Sequence, residues 1–175
     1  MKQLWAPWRM HYVTSGEPGG EACFLCAAAK APVRDPSDRG LVVERTDQTL
    51  SLMNLFPYTS GHVLVAPRRH VADLRDLTPD EGAALLAATQ RVLGAISRAW
   101  QPAGFNVGMN LGRAAGASVD HLHLHVVPRW NGDTNFMPVL ADVKVLPEHL
   151  EVTAARLREA LSDDHGPTAD QGPEG

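Results

Sequence analysis

Apolar and polar positions settle into a period of two at Leu41. Leu41-Val42-Val43-Glu44 and Thr49-Leu50-Ser51-Leu52-Met53 predict two strands joined at Thr46-Asp47-Gln48. Gly61-His62-Val63-Leu64-Val65-Ala66 predicts a third, stopped by Pro67. The period then lengthens: Leu85, Thr89, Val92, Ile96 and Trp100 recur every three to four residues and form one apolar helical stripe. Thr78 suits the N-cap of that helix, Pro79 its first position and Glu81 a capping box, while Pro102 and Gly104 end it. From Phe105 to Leu111 the alternation returns. Phe105, Val107, Met109 and Leu111 are expected on the core, with Asn106, Gly108 and Asn110 on an open face. His121 to Pro128 predicts the last strand, and Pro147 to Leu161 a second helix. Sequence-adjacent strands with a long helix before the last two predict an α+β domain: a five-stranded antiparallel sheet, one long helix and one C-terminal helix.

Residues 1–162 read as one domain. Its first forty residues are loop-rich, punctuated by Trp5-Ala6-Pro7-Trp8-Arg9 and Gly16-Glu17-Pro18-Gly19-Gly20. Residues 163–175 read as a disordered tail by composition. A chain of 175 residues, 44% hydrophobic, can bury a real core. A net charge of -4 without a basic stripe argues against a general nucleic-acid binder. No apolar run approaches the ~20 residues of a membrane span, and Met1 to Trp5 lacks an apolar signal core. Two cysteines are too few for a disulfide scaffold. These features predict a soluble, cytoplasmic protein.

The chemistry concentrates in His121-Leu122-His123-Leu124-His125. On a strand, this alternation turns three imidazoles to one face, ~6–7 Å apart, and anchors Leu122 and Leu124 in the core. Three readings compete: satisfied polar residues on a sheet, a three-histidine metal site, and nucleophilic attack on phosphorus by a neutral imidazole. The preceding loop, Asn110-Leu111-Gly112-Arg113-Ala114-Ala115-Gly116-Ala117-Ser118, favours the third. Its bare backbone amides and the Ser118 hydroxyl suit a phosphate.

With those residues in view, the sequence resembles the histidine triad family. His121-Leu122-His123-Leu124-His125-Val126-Val127 fits the family signature position by position, and Asn54 through Gly61-His62-Val63-Leu64-Val65-Ala66-Pro67 is similar to its second motif, which forms the nucleoside pocket. The resemblance covers roughly Cys23 to Trp130. It implies that His123 is the nucleophile of a covalent nucleotidyl-histidine intermediate and that His125 contacts the phosphate and the departing group. It further implies that Asn54 holds the ribose, and that Ser118 with the Gly116 and Ala117 backbone binds phosphates near the scissile bond.

Trp5-Ala6-Pro7-Trp8-Arg9 and Val127-Pro128-Arg129-Trp130-Asn131-Gly132-Asp133 resemble a bacterial branch related to the diadenosine tetraphosphate phosphorylases. Asn110 stands where the animal diadenosine triphosphate hydrolases carry glutamine, which hints at phosphate rather than water as second nucleophile. The expected reaction is phosphorolysis of diadenosine tetraphosphate to ADP and ATP, with inorganic phosphate held near Asn110 and Ser118. Hydrolysis of dinucleoside polyphosphates, or of nucleoside phosphoramidates and mononucleotides, is the alternative with the same nucleophile. A non-enzymatic nucleotide-binding module is a third possibility, against which the intact His123 argues, and a histidine-metal oxidoreductase or hydrolase a fourth.

Cys23-Phe24-Leu25-Cys26 alone reads equally as two small apolar residues. Several family members, and the related galactose-1-phosphate uridylyltransferases, place zinc on two such cysteines and two histidines. By that resemblance Cys23, Cys26, His70 and His121 form a closed Cys2His2 set with a structural zinc; otherwise His121 only hydrogen-bonds behind His123. No catalytic metal is required, since the two half-reactions each move a phosphoryl centre between good donors and histidine; the resemblance implies a homodimer. His11, His149 and His165 are expected to be exposed, and His62 to pack or support rather than catalyse. Arg68 and Arg69 either attract polyphosphate or keep the surface soluble.

Overall fold

The computed structural model describes residues 23–31, 41–133 and 148–163. The expectations placed on Trp5 to Gly20, His11, Pro147, His165 and the tail fall outside them. In chain order the elements are α1 (Phe24–Lys30), β1 (Val42–Arg45), β2 (Thr49–Met53), β3 (Val63–Pro67), α2 (Pro79–Trp100), β4 (Gly104–Met109), β5 (Leu124–Arg129) and α3 (Leu150–Ser162). The strands form one five-stranded sheet in the order β1-β2-β3-β5-β4, and every pairing is antiparallel. This is the α+β architecture predicted from the pattern. Among the described residues no helix is long and apolar enough to cross a membrane.

The sheet is buried on both faces along β2 and β3, where all five positions of each strand are inaccessible. Met53, Val63, Val65 and Val126 pack under α2 and α3 with Leu85, Val92, Ile96 and Leu157. Leu50, Leu52, Leu64 and Ala66 point the other way, under α1 with Cys23, Leu25, Ala28 and Ala29. A strand sends alternate side chains to opposite faces, so one strand serves both layers.

α2 begins as its sequence predicts. The Thr78 hydroxyl accepts from Glu81 N–H, the Glu81 carboxylate accepts from Thr78 N–H, and Pro79 fills the first turn, where its missing N–H costs nothing. Gln101 ends the helix in the left-handed conformation at φ 48°.

Four expectations are corrected. Phe24–Lys30 is a helix inside the segment read as loop-rich. Seven residues without a side-chain cap carry little local signal, and packing on the sheet stabilises the helix instead. β5 starts at Leu124, so His121 and His123 precede the strand. Pro67 is the last residue of β3, opposite Thr49, rather than a stop before it. β4 buries less than its alternation suggests: Phe105 and Met109 touch the core, whereas Val107 is 47% and Leu111 42% exposed. β4 lies at the sheet's edge, where no further strand among the described residues pairs with it.

Candidate functional site

Register brings the site together. Gly108 of β4 and Leu64 of β3 both stand opposite His125, and Met109 stands opposite Leu124. Asn110 follows β4 directly, and the loop from Asn110 to Asp120 returns the chain to the histidines. Two glycines make that turn: Gly112 at φ 79° and Gly116 at φ 96°, conformations that exclude most side chains. Asn110 Nδ2 donates to Gly116 O at 3.4 Å, tying the limbs together. Ala117 and Ser118 are half-buried in the same loop.

The histidine row divides. His123 and His125 stay close, with ring centroids 4.9 Å apart. The His121 ring leaves them for His70, 4.8 Å away and nearly perpendicular. The single-face arrangement expected for all three rings therefore does not hold, because His121 lies in irregular backbone ahead of the strand.

Main-chain groups assign the protons. A carbonyl can only accept, so His123 Nδ1, 2.7 Å from His121 O, carries the hydrogen and leaves the lone pair on Nε2. His121 has the opposite tautomer. Its Nε2 donates to Pro67 O at 2.9 Å, which leaves the lone pair on Nδ1. Burial pushes both imidazoles below the usual histidine pKa, against the opposing effect of these carbonyl bonds; the neutral forms dominate at pH 7.

His62 was expected only to pack or support. It is fully buried, and its contact with the triad is direct. Tyr58 N–H donates to His62 Nδ1 at 3.0 Å, so the His62 proton sits on Nε2 and is donated to His125 Nδ1 at 2.9 Å. His125 in turn carries its proton on Nε2. The Tyr58 ring lies against both imidazoles, tilted to His62 at 4.7 Å and stacked with His125 at 6.0 Å. The sequence signal was Gly61-His62 in the second motif, but no spacing rule links position 62 to position 125. Asn54 lies beside the same group: Nδ2 is 3.3 Å from His62 Nδ1, and Oδ1 accepts from Phe56 N–H at 3.0 Å. That carbonyl oxygen retains a second lone pair.

The predicted Cys2His2 residues also converge. Cys23 and Cys26 Sγ lie 3.3 and 3.5 Å from His121 Nδ1, and Cys26 Sγ is 3.2 Å from His70 Nδ1. All four donor atoms fall within 4.8 Å of one another and could hold a metal ion. Zinc–sulfur and zinc–nitrogen bonds of ~2.3 and ~2.0 Å at a tetrahedral angle give sulfur–nitrogen edges of about 3.5 Å. The donor set fits that ion in chemistry as well, because the lone pair of His121 faces both thiols. Burial, and then the neighbouring Cys23, push the Cys26 thiol pKa up. Cys23 and His121 are buried, Cys26 is half-buried and His70 exposed.

Arg68 and Arg69 are committed to the protein. Arg68 donates to Thr46 O and Ala29 O, bridging the β1–β2 turn to α1. Arg69 forms a two-pronged pair with Glu81 at 2.7 Å. His149 is exposed ahead of α3, and Trp130 is half-buried.

The HIT domain model matches residues 37–132, more than half of the chain. The chain belongs to the HIT family. It is 41% identical over 157 residues to an AP-4-A phosphorylase of Mycobacterium tuberculosis, covering 87% of this chain and 80% of that one. A stretch of 92 residues is 38% identical to the asymmetrical bis(5'-nucleosyl)-tetraphosphatase of Schizosaccharomyces pombe, about half of each chain. Among solved structures, a zinc-bound histidine triad family protein from Mycobacterium smegmatis superimposes with a TM-score of 0.65 at 32% identity, covering 83% of this chain and 96% of that one.

Proposed function

We propose that the protein is a nucleotidyltransferase that phosphorolyses diadenosine tetraphosphate to ADP and ATP. The observation that carries this reading is the 2.7 Å bond from His123 Nδ1 to His121 O, which holds a neutral imidazole with its Nε2 pair ready for attack. His123 Nε2 forms a bond to the α-phosphorus, and the bond from that phosphorus to the bridging oxygen breaks. His125 donates a hydrogen bond from its Nε2–H to the bridging oxygen as ATP departs as an anion, while His62 donates to His125 Nδ1 and holds that tautomer. Inorganic phosphate, held by Asn110 and Ser118, then attacks the AMP–His123 phosphorus; ADP leaves and His123 is restored. Asn54 holds the ribose through the second lone pair of Oδ1. The Gly116 and Ala117 amides bind the phosphoryl oxygens.

The 41% identity to a phosphorylase over most of both chains supports phosphate as the second nucleophile. Water in its place gives AMP and ATP, a reading favoured by shorter matches to hydrolases, the Schizosaccharomyces pombe tetraphosphatase and a bis(5'-adenosyl)-triphosphatase of Dictyostelium discoideum.

Cys23, Cys26, His70 and His121 hold a structural zinc in this proposal, which pins α1 to the segment before β5. A thiolate site of this kind persists in a reducing compartment, in keeping with a cytoplasmic location. A second copy of the chain covers β4, where Val107, and Leu111 just after the strand, are exposed at the sheet edge.

Product analysis on diadenosine tetraphosphate, with and without millimolar phosphate, tests the reaction. ADP and ATP formed only with phosphate are expected. AMP and ATP formed regardless of phosphate would make the protein a hydrolase, and no turnover would defeat the reading.

A further inference from the structure

The proposed substrate is a polyanion and the protein is net negative at -4. A fixed positive charge near the phosphate loop is therefore needed to offset the anionic chain beyond the reacting phosphorus. Within the described residues one arginine is uncommitted. Every other arginine donates to a carboxylate or a main-chain carbonyl. The Arg113 side chain makes no hydrogen bond or ion pair among the described residues, and the residue is exposed.

Its position is fixed by backbone rather than by a side-chain partner. Arg113 opens a single 3-10 turn, Arg113–Ala115, closed by Gly116 N–H to Arg113 O at 3.0 Å. Ala115 and Ala117 N–H both return to Gly112 O, at 3.1 and 3.2 Å. With the Asn110–Gly116 bond, these contacts cross-link the loop that runs from the end of β4 to the histidines. The flanking Gly112, Ala114, Ala115 and Gly116 offer a guanidinium no competing acceptor side chain. A long, flexible cation on a stiff small-residue loop suits phosphates some distance from the loop backbone, whereas the backbone amides serve those close to it.

Resting on the reaction proposed above, we infer that Arg113 is a specificity-determining residue: its guanidinium binds the phosphates on the leaving side of the scissile bond and selects polyphosphate substrates over mononucleotides. The contact is made equally in the ground and transition states, so it acts on KM.

The test compares wild type with Arg113→Ala, Arg113→Gln and Arg113→Lys. For the Ala and Gln variants, KM for diadenosine tetraphosphate rises about tenfold and kcat stays within about threefold. The deficit shrinks in 0.5 M salt as the wild-type contact is screened. The Lys variant recovers most of the loss. Calorimetric titration with AMP, which lacks the distal phosphates, shows affinity unchanged within about twofold, whereas ATP binds about tenfold more weakly to the Ala variant. An unchanged KM and unchanged ATP affinity would overturn the inference. Equal losses for AMP and ATP would overturn it too, by showing a loop defect at the α-phosphate. Failure of wild type to turn over any dinucleoside polyphosphate would defeat the reaction instead; the AMP and ATP titrations need no turnover and still decide on Arg113.

Discussion

Two neighbouring regions make opposite demands on the same side chain. In the Cys23, Cys26, His70 and His121 cluster, lone pairs converge on one point, an arrangement that suits a cation. In the His62 and His125 pair beside His123, donors and acceptors follow one another from the Tyr58 N–H, an arrangement that fixes tautomers and leaves an N–H to offer a departing oxygen. Two main-chain oxygens set the difference. Pro67 O takes the Nε2 hydrogen of His121 and leaves Nδ1 for the thiols. His121 O takes the Nδ1 hydrogen of His123 and leaves Nε2 for phosphorus. Residues two apart thus hold opposite tautomers. His121 belongs to both regions, with its ring in one and its carbonyl in the other.

If the regions are distinct in function, they separate under mutation. The largest effect is expected from His123→Ala, which lowers turnover by about 10⁴-fold or more while metal content is unchanged and nucleotide affinity stays within about tenfold. Steady-state kinetics, equilibrium binding and metal analysis on one preparation check this; metal lost along with activity would merge the two regions. His125→Ala lowers kcat about 10²- to 10³-fold on diadenosine tetraphosphate. Steady-state kinetics on that substrate check this. A kcat within about twofold of wild type would remove His125 from the leaving-group side. His62→Ala follows the same pattern at about tenfold.

The opposite signature is expected from Cys23→Ser. Bound zinc falls from about one per chain towards zero and Tm drops by more than about 5 °C, read by elemental analysis and scanning calorimetry. Protein that remains folded keeps much more turnover than His123→Ala. An unchanged metal count would sink the metal site.

A reference away from both regions sharpens the contrast. Arg69, and then the Thr78 N–H, hold the Glu81 carboxyl down at about 2. Because the folded value is depressed, its stabilisation is present above the ordinary carboxylate range near ~4.5 and is lost as pH falls through about 2. Glu81→Gln therefore lowers Tm modestly at pH 7, and the gap from wild type closes towards pH 2, with zinc content and kcat unaffected at pH 7.

Local patterns carried much of the fold. The α2 capping box involves residues three apart, so Thr78 and Glu81 announce it without tertiary help. The β2 and β3 segments are apolar runs of strand length bounded by polar and turn residues, and they appear within two residues of the expected bounds. α1 escaped notice because seven residues cannot declare a helix by period; its stability comes from Leu25, Ala28 and Ala29 packing on the sheet. The exposure of Val107 was equally invisible, since alternation says which side chains share a face but not whether that face is covered.

The candidate site shows the same division. The amino-acid sequence by itself determined the ingredients: the triad signature, the small-residue loop, the paired cysteines and, through resemblance, the residues that would act with them. The tertiary structure alone decided the allocation. It put His121 beside Cys23 across 98 positions of chain and His62 beside His125 across 63, and it chose each tautomer. The physical reason is that an imidazole is symmetric in what it can do: either nitrogen can carry the hydrogen. The choice falls to whichever fixed donor or acceptor the folded backbone brings within reach.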